Sequence, residues 1–248
     1  MLDLKKVIDH TFLKNEKQEI SYIHQKDKID ILVQEAHNLG AYAVCVREEL
    51  VSDTKDFLQE LSSPVKLCSV IGFPCGDDYS TEQKINLLEK ARKEGACEFD
   101  MVLNVNQLKL GQEQAVYEDI LQVSKSAGTD VLKVIFEMAL LTLSEKKVAL
   151  SLCAKAFKDS GFVTGRFFKT STGFANPPPG IPVGATLEDV KLMFSYAENI
   201  FGIKPSGGID NLEQAHAFFK AVGSPTLPTG APDPLKFRIG SSTLLLKI

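Results

Sequence analysis

The chain has 248 residues, of which 44% are hydrophobic and 24% are charged, as expected for a globular protein with a substantial core. Its net charge of -4 at pH 7 argues against a broad nucleic-acid-binding surface, which needs an excess of basic residues. No apolar run approaches the roughly 20 residues of a membrane-spanning helix, so we expect neither nucleic acid nor a membrane as a partner.

The cysteines and the N-terminal residues indicate a cytoplasmic protein. The N-terminal sequence MLDLKKVIDHTFLK mixes charged and apolar side chains and lacks the apolar core of a signal peptide. The five cysteines form no CxxC pair, and their odd number fits reduced thiols better than a disulfide framework. The four histidines are scattered and no HExxH motif occurs, so we expect no metal site.

Short apolar runs that alternate with longer amphipathic segments predict eight strands. Most of the runs are apolar on both faces, which is typical of parallel strands covered by helices. Eight such units favour a single (β/α)8 TIM barrel over residues 1–248, with a doubly wound open sheet as the competing arrangement. The predicted strands lie near residues 7–12, 42–46, 67–72, 98–104, 131–136, 166–171, 202–206 and 237–241.

Several segments between these strands carry helix signals. Apolar residues recur at helical spacing after Thr81, and the pattern stops at Gly95. Residues 212–222 predict a further helix. Two capping boxes, in which the side chains of the first and fourth residues bond each other's backbone, are predicted at Thr142 with Glu145 and at Thr186 with Asp189.

Two polar segments, residues 15–27 and 176–184, are predicted to be loops. His10, in the first strand, is expected to make a hydrogen bond that fixes this strand rather than to act as a catalytic base.

Charged residues inside the predicted strands are the strongest functional signal. A charged side chain that faces a barrel interior loses its hydration, so it is rare there unless it is paired or functional. A single such lysine can also point outward between the helices, but four on consecutive strands favour a shared site. Barrel enzymes carry their chemistry at the C-terminal ends of the strands. The four residues are Asp100, Lys133, Lys169 and Lys204.

Three lysines around one aspartate indicate Schiff-base chemistry. At pH 7 about one lysine amine in a thousand is neutral and therefore nucleophilic. A neighbouring ammonium and burial both increase that fraction. The neutral amine attacks a carbonyl to give an iminium, which accepts electrons when a carbon–carbon bond breaks, while the carboxylate moves protons.

Glycines and serines after the last two predicted strands indicate a phosphate site. Barrels often bind phosphate with the loops after strands 7 and 8, through backbone N–H groups. Each motif alone is a common turn, but their two positions together favour phosphate. The residues are Gly207 and Gly208 after the seventh strand, and Gly240, Ser241 and Ser242 after the eighth.

In these segments the chain resembles the deoxyribose-phosphate aldolases, the class I aldolase family of DeoC type. The matching segments run in order through nearly the whole chain: IDHTFLK, VCV, VIGFPCG, GACEFDMVLN, LKVIFE, FFKTSTGF, GATLEDVKLM, IKPSGGI and RIGSS. FFKTSTGF is the most specific of them.

The resemblance implies reversible cleavage of 2-deoxy-D-ribose 5-phosphate into acetaldehyde and D-glyceraldehyde 3-phosphate in deoxyribonucleoside catabolism, without a cofactor. It implies that Lys169 forms the Schiff base, that Lys204 is the second lysine and that Asp100 relays protons. Lys133 is expected in the same pocket, orienting Asp100 and a substrate hydroxyl. Thr172 is expected to line the substrate pocket, and Gly173 to bind the phosphate with the loop residues above.

The same resemblance carries two further expectations. Members of the family are often homodimers, so the chain is expected to form one. The chain ends at Ile248 without the tyrosine-ended tail that some members use in proton transfer, which bears on turnover rate and not on reaction type.

Three alternatives remain at this stage. Another lysine-dependent aldolase would share Lys169 but act on a different phosphosugar. A non-catalytic sugar-phosphate-binding barrel would form no covalent adduct. A metal-dependent aldolase is disfavoured because the chain lacks a histidine cluster.

Overall fold

Eight strands form one parallel sheet in a computed structural model that describes residues 3–14 and 22–248. Each strand falls at a position predicted from the sequence, although several end one or two residues earlier, where the backbone turns into the following loop. The strands are β1 (Ile8–Thr11), β2 (Ala43–Val46), β3 (Lys66–Ile71), β4 (Glu98–Val102), β5 (Val131–Ile135), β6 (Arg166–Lys169), β7 (Gly202–Lys204) and β8 (Ile239–Ser241).

The sheet closes on itself, so the barrel prediction is confirmed and the open sheet is excluded. Neighbouring strands follow the chain from β1 to β7, and β8 pairs with β1. Between β7 and β8 the contact consists of two isolated parallel bridges, Ile203 with Phe237 and Ser206 with Gly240. We call this junction the β7–β8 joint.

Helices cover the outside of the barrel between successive strands. A short extra helix lies between β4 and β5, and a 3-10 helix, Leu244–Lys247, follows β8 where a regular unit would have an α-helix. None of the described helices combines the length and apolar composition needed to cross a membrane. The helices are α1 (Tyr22–Leu39), α2 (Val51–Glu60), α3 (Thr81–Lys93), α4 (Val105–Lys109), α5 (Glu113–Ala127), α6 (Leu143–Asp159), α7 (Leu187–Tyr196) and α8 (Leu212–Ala221).

Helix starts follow the predicted capping chemistry with two corrections. The capping box at Thr142 is confirmed, because Thr142 and Glu145 bond each other's backbone N–H. The helix expected after Thr81 already includes Thr81, and its cap is Ser80, with a box completed by Gln83. Thr186 caps α7 by accepting from the backbone N–H of Asp189, but the carboxylate of Asp189 bonds the Thr186 hydroxyl instead of its backbone.

The loop predicted at residues 15–27 is partly wrong. Residues 22–27 belong to α1, whose start is rich in polar residues and gives no clear apolar pattern. Residues 15–21 lie outside the described residues. The loop predicted at 176–184 is confirmed, since these residues form neither helix nor strand.

Strand register determines which side chains meet inside the barrel. Partners in a parallel pair point to the same face, and side chains alternate between faces along each strand. Asp100 pairs with Lys133, and Lys169 pairs with Lys204, so these four face the same side. Phe168, which precedes Lys169 on β6, faces outward, and its ring centroid lies 5.5 Å from that of Phe136. At these positions the inner face of the barrel is therefore charged.

Candidate active site

Asp100 is the centre of the interior charges. Its Oδ2 atom lies 2.7 Å from Nζ of Lys169 and 2.7 Å from Nζ of Lys204. Its Oδ1 atom lies 2.9 Å from Nζ of Lys133. All four side chains are buried, so the structure brings the four predicted catalytic residues into direct contact.

Three further charged residues complete this group and were missed by the sequence reasoning. Asp9 accepts from Lys204 Nζ at 2.5 Å and from Arg238 Nη1 at 2.6 Å. Glu98 accepts from Lys133 Nζ at 2.7 Å and from Arg238 Nη2 at 2.5 Å. Asp9 and Glu98 lie within strands and Arg238 immediately precedes β8, so the signal that singled out Asp100 would also have found them. We call the seven residues the barrel cluster: Asp9, Glu98, Asp100, Lys133, Lys169, Lys204 and Arg238.

The charges of the barrel cluster do not balance when every group is ionised. It contains four cationic side chains and three carboxylates, all buried in the barrel. An unpaired charge in such a place is costly, because the interior screens it poorly. One neutral lysine would leave three cations and three carboxylates.

Ionisation states in the barrel cluster are set by competition between burial and ion pairing. Burial raises the pKa of Asp100, but the ammonium groups of Lys133, Lys169 and Lys204 outweigh it and hold this pKa well below its ordinary value. Burial lowers the pKa of Lys204, but the carboxylates of Asp100 and Asp9 outweigh it, so the pKa is raised. Lys204 is therefore a permanent cation at neutral pH.

In Lys133 and Asp9, too, neighbouring charges outweigh the effect of burial on the pKa. Burial lowers the pKa of Lys133, yet Asp100 and other acidic neighbours raise it well above the ordinary lysine value. Burial raises the pKa of Asp9, yet Arg238 and Lys204 bring it below the ordinary value. Asp9 and Asp100 are thus carboxylates at neutral pH, and Lys133 is an ammonium.

Two buried thiols lie beside the barrel cluster. Cys45 and Cys68 are register partners on β2 and β3, and Cys68 Sγ lies 3.2 Å from Oδ1 of Asp100. Among the described residues, these thiols and Asp100 form a group whose ligand atoms could meet on a metal ion. The ammonium groups of Lys133 and Lys204 already contact the carboxylate, so the local charge opposes a further cation there.

A cavity of about 290 Å³ opens at the C-terminal ends of the strands. Lys169 lines it, whereas Lys133, Lys204 and Asp100 lie behind Lys169 and do not. Lys133 contacts Asp100, and its expected contact with a substrate hydroxyl stays a prediction, since its side chain does not line this cavity. Every predicted phosphate or pocket residue lines the cavity: Thr172, Gly173, Gly207, Gly208, Gly240, Ser241 and Ser242.

Glycine is required where the two cavity loops approach each other. Gly173 and Gly207 have φ angles of 85° and 87°, in the left-handed region that side chains disfavour. Gly184, in the long loop after β6, lies against the Gly207 carbonyl, with no space for a Cβ atom. The backbone of this wall is therefore bare and close to any bound group.

Gly240 has a packing reason as well as a place in the cavity wall. A Cβ atom there would lie 2.9 Å from Cβ of Ser206 and 3.1 Å from Cε of Lys204. Its absence lets the Lys204 stem pass across the β7–β8 joint to reach Asp9.

Two predicted hydroxyl donors are already engaged by the protein. The Ser241 hydroxyl donates to the Ile209 carbonyl at 2.6 Å and accepts from the backbone N–H of Leu244 at 3.0 Å. The Thr172 hydroxyl donates to the Glu137 carboxylate and accepts from the backbone N–H of Phe174. Both hydroxyls therefore already donate their one proton within the protein.

Glu137 is a site residue that the sequence reasoning missed. It follows β5, is 3% exposed and has a left-handed backbone with φ of 55°. Its carboxylate accepts from the backbone N–H of Thr172 at 3.1 Å. Burial raises its pKa, against the opposing effect of its bonds to Thr172. Glu137 thereby ties the end of β5 to the turn that forms one cavity wall.

His10 makes the predicted structural contact. Its Nε2 atom lies 2.8 Å from Oε2 of Glu35 on α1, which fixes the first strand against its helix.

Comparisons with known proteins agree with this geometry. Residues 4–241 match the family described as DeoC/LacD family aldolase. The chain belongs to the DeoC/LacD aldolase family. The match includes all seven residues of the barrel cluster.

Individual relatives support the same assignment. A deoxyribose-phosphate aldolase from Coprothermobacter proteolyticus is 40% identical over 208 residues, which cover 84% of both chains. The solved structure of an aldolase called QR15 has a TM-score of 0.78 and 33% identity, covering 99% of this chain and 94% of its own. A tetrameric deoxyribose phosphate aldolase from Aeropyrum pernix has a TM-score of 0.71 and 29% identity, covering 99% of this chain and 89% of its own.

Proposed function

We propose that the protein is a class I aldolase that reversibly cleaves 2-deoxy-D-ribose 5-phosphate into acetaldehyde and D-glyceraldehyde 3-phosphate. One observation carries the proposal: Lys169 is the member of the barrel cluster that reaches the cavity, and the cluster has one cation more than its carboxylates balance. Relatives named deoxyribose-phosphate aldolase support the substrate.

Formation of the Schiff base is the first step. Lys204 and Lys169 share one oxygen of Asp100, which places the Lys169 amine beside the ammonium of Lys204 and at the wall of the cavity. The amine attacks the C1 aldehyde of the open-chain sugar to form a carbinolamine. Loss of water from the carbinolamine leaves an iminium that joins Lys169 to C1.

Carbon–carbon cleavage follows from the iminium. The C3 hydroxyl loses its proton, the C2–C3 bond breaks, and its electron pair moves into the iminium to give an enamine. Glyceraldehyde 3-phosphate leaves, a proton adds to C2, and water hydrolyses the new iminium to acetaldehyde and the free amine. Each cycle releases one water when the first iminium forms and consumes one when the last iminium is hydrolysed, so no net water is used.

Asp100 is proposed to carry the proton between these two positions. It lies behind Lys169 and outside the cavity wall, so the transfer passes through a water molecule or the Lys169 nitrogen. Its lowered pKa means that the proton stays on Asp100 only in transit. Lys133 and Lys204 are proposed to act through Asp100, which both contact.

The substrate phosphate is proposed to bind at the opposite side of the cavity. The loops after β6, β7 and β8 present backbone N–H groups and glycines there. Thr172, Gly173, Gly207, Gly208, Gly240, Ser241 and Ser242 form this wall. The backbone N–H groups of Thr172 and Gly240 are already bonded within the protein, so we propose those of the loop glycines Gly173, Gly207 and Gly208 as the donors.

Compartment and assembly are also part of the proposal. All five cysteines are free thiols, which supports a reducing compartment such as the cytoplasm. We propose a homodimer, and light scattering of the purified protein would distinguish it from a tetramer like that of the Aeropyrum pernix enzyme.

Trapping with borohydride tests the reaction. The protein is incubated with 2-deoxyribose 5-phosphate and borohydride, and peptide mapping locates the adduct. A coupled assay follows glyceraldehyde 3-phosphate release, with and without a chelator. We expect an adduct on Lys169 and chelator-resistant release.

The two alternatives predict different results. A different lysine-dependent aldolase would trap on Lys169 with another phosphosugar but release no glyceraldehyde 3-phosphate from this one. A non-catalytic sugar-phosphate-binding barrel would give no adduct at all.

A further inference from the structure

The cavity wall has few charged side chains for a site that would hold a phosphate. Among the described residues that line it, the charged ones are Lys14, Lys169 and Asp210. A phosphate monoester carries close to two negative charges at pH 7. The glycine and serine loops offer this dianion only neutral hydrogen-bond donors, and the Ser241 hydroxyl is already bonded to the Ile209 carbonyl.

Lys169 cannot serve as the phosphate cation. Its Nζ atom contacts Asp100 at 2.7 Å, deep in the cavity, where the proposed function has it bonded to the aldehyde carbon. The aldehyde and the phosphate are at opposite ends of a five-carbon sugar.

Asp210 has the wrong sign for phosphate binding. Its carboxylate is paired with Nζ of Lys247 at 3.1 Å, and this pair is exposed. Lys247 therefore reduces the repulsion that Asp210 would exert on a bound phosphate, and does not itself line the cavity.

Lys14 has the right position and is not engaged elsewhere. It is exposed, lines the cavity, and has no ion-pair or hydrogen-bond partner among the described residues. The residue before it, Leu13, is buried in a small apolar cluster with Cys68 and Phe73. This anchor fixes the end of the segment after β1 and holds Lys14 at the cavity mouth.

We propose that Lys14 is the cation that binds the substrate phosphate and makes the cavity select phosphorylated over unphosphorylated sugars. This inference rests on the proposed function for its substrate. The phosphate would lie between the Lys14 ammonium and the backbone N–H groups after β7 and β8. The neutral loops then set the geometry, and Lys14 supplies the charge.

The test compares Lys14→Gln with the wild type on two substrates, 2-deoxyribose 5-phosphate and 2-deoxyribose. For the phosphorylated sugar we expect kcat/KM to fall about 10- to 100-fold, since a bond to a charged group is lost. For the unphosphorylated sugar we expect no change. Added salt should lower the wild-type kcat/KM for the phosphorylated sugar more than that of the variant.

Lys66→Gln is the matched control. Lys66 is an exposed lysine at the start of β3, at the opposite end of the barrel from the cavity. The substitution removes the same charge as Lys14→Gln but far from the cavity. The kcat/KM values for both sugars and their dependence on salt should therefore stay unchanged. Equal losses on both sugars in Lys14→Gln, or no loss on either, would overturn the proposal.

Two further measurements separate this inference from the proposed function. Borohydride trapping of acetaldehyde on Lys169 needs no phosphate, so it should be equal in the wild type and Lys14→Gln. If the wild type traps nothing, the aldolase proposal fails. Calorimetric titration with glycerol 3-phosphate, which has no carbonyl, still tests Lys14: weaker binding in the variant supports it, and equal binding contradicts it.

Discussion

Two buried lysine networks in this molecule look alike in sequence but differ in what they can do. Lys84, on α3, is fully buried and donates to Asp119 at 2.7 Å, to Asn104 Oδ1 at 2.5 Å and to the Val102 carbonyl at 3.1 Å. One cation meets one carboxylate and two neutral acceptors, and Lys84 lines no cavity described above. The barrel cluster has an excess cation, and one of its lysines opens on a cavity. Excess charge and access to a cavity, rather than burial, therefore distinguish Lys169 from Lys84.

The pKa directions of the two networks differ in the same sense. Burial lowers the pKa of Lys84, and the carboxylates of Asp119, which it contacts, and of Asp77 do not compensate for it. In the barrel cluster, several carboxylates raise the pKa values of Lys133 and Lys204 despite burial. The acidic groups around Lys84 therefore stabilise its charged form less than those around Lys133 and Lys204 do.

The largest expected effect is on activity in Lys169→Met. Without the amine no Schiff base forms, and we expect kcat for cleavage to fall by about 10⁴-fold or more. The melting temperature should not fall, because the six remaining charges of the barrel cluster balance. Steady-state kinetics and thermal unfolding check both points, and a large loss of stability would contradict the charge-balance argument.

Lys84→Met should have the opposite profile. It leaves the carboxylate of Asp119 buried without its cation, which costs about 3–5 kcal/mol of unfolding free energy. The kcat of the folded protein should stay at the wild-type value. Urea unfolding and active-site titration measure the two quantities. Lys90→Met, on the exposed face of the same helix, is the control and should change stability by less than about 1 kcal/mol.

Asp100→Asn should slow cleavage while leaving the nucleophile in place. We expect kcat to fall about 10²-fold or more, because the proton carrier is lost. Acetaldehyde should still be trapped on Lys169 by borohydride. Glu98→Gln, which removes a carboxylate that does not contact Lys169, should have the smaller effect. Cleavage at the wild-type rate in Asp100→Asn would exclude its proposed role.

The smallest effect is a difference in the sign of pH dependence. The pKa of Lys84 is lowered on folding, so the folded state releases this proton first. Its contribution to stability therefore rises with pH up to the ordinary lysine value of about 10.4, by at most about 1.4 kcal/mol per pH unit. The gap in unfolding free energy between the wild type and Lys84→Met should widen from pH 8 to pH 10.

Lys133 supplies the opposite case. Its pKa is raised on folding, so its contribution is fully present below the ordinary lysine pKa and is lost as pH rises through the folded value. The gap between the wild type and Lys133→Met should therefore stay constant from pH 8 to pH 10. If the free-energy gaps for Lys84→Met and Lys133→Met changed with pH in the same way, the assigned pKa directions would be contradicted.

The sequence predicts the barrel well because its strands are apolar on both faces and regularly spaced. It does not predict the start of α1, where polar residues hide the helical pattern, nor the choice between Ser80 and Thr81, which are both good caps. Within the site, Asp9, Glu98 and Arg238 carry the same signal as Asp100 and could have been found. Glu137 could not, because it follows a strand and acts only through a folded turn.

Lys84 shows the limit of arguing from buried charge. It lies four residues before Leu88 on the buried face of α3, where an apolar residue is expected. Sequence periodicity places Lys84 on this face, but only the tertiary structure shows that Asp119 and Asn104 accept its hydrogen bonds. A rule that assigned function to every buried lysine would have included it.

The β7–β8 joint gives the barrel an unusual kind of closure. Three backbone hydrogen bonds join its sides, from Ile203 to Lys236, Arg238 to Ile203 and Gly240 to Pro205. Across the joint, Lys204 of β7 reaches Asp9 of β1, which also holds Arg238 at the start of β8. Buried ion pairs therefore help to close the barrel at this joint. Lys204 thus contributes to barrel closure through Asp9 as well as to the charge beside Lys169.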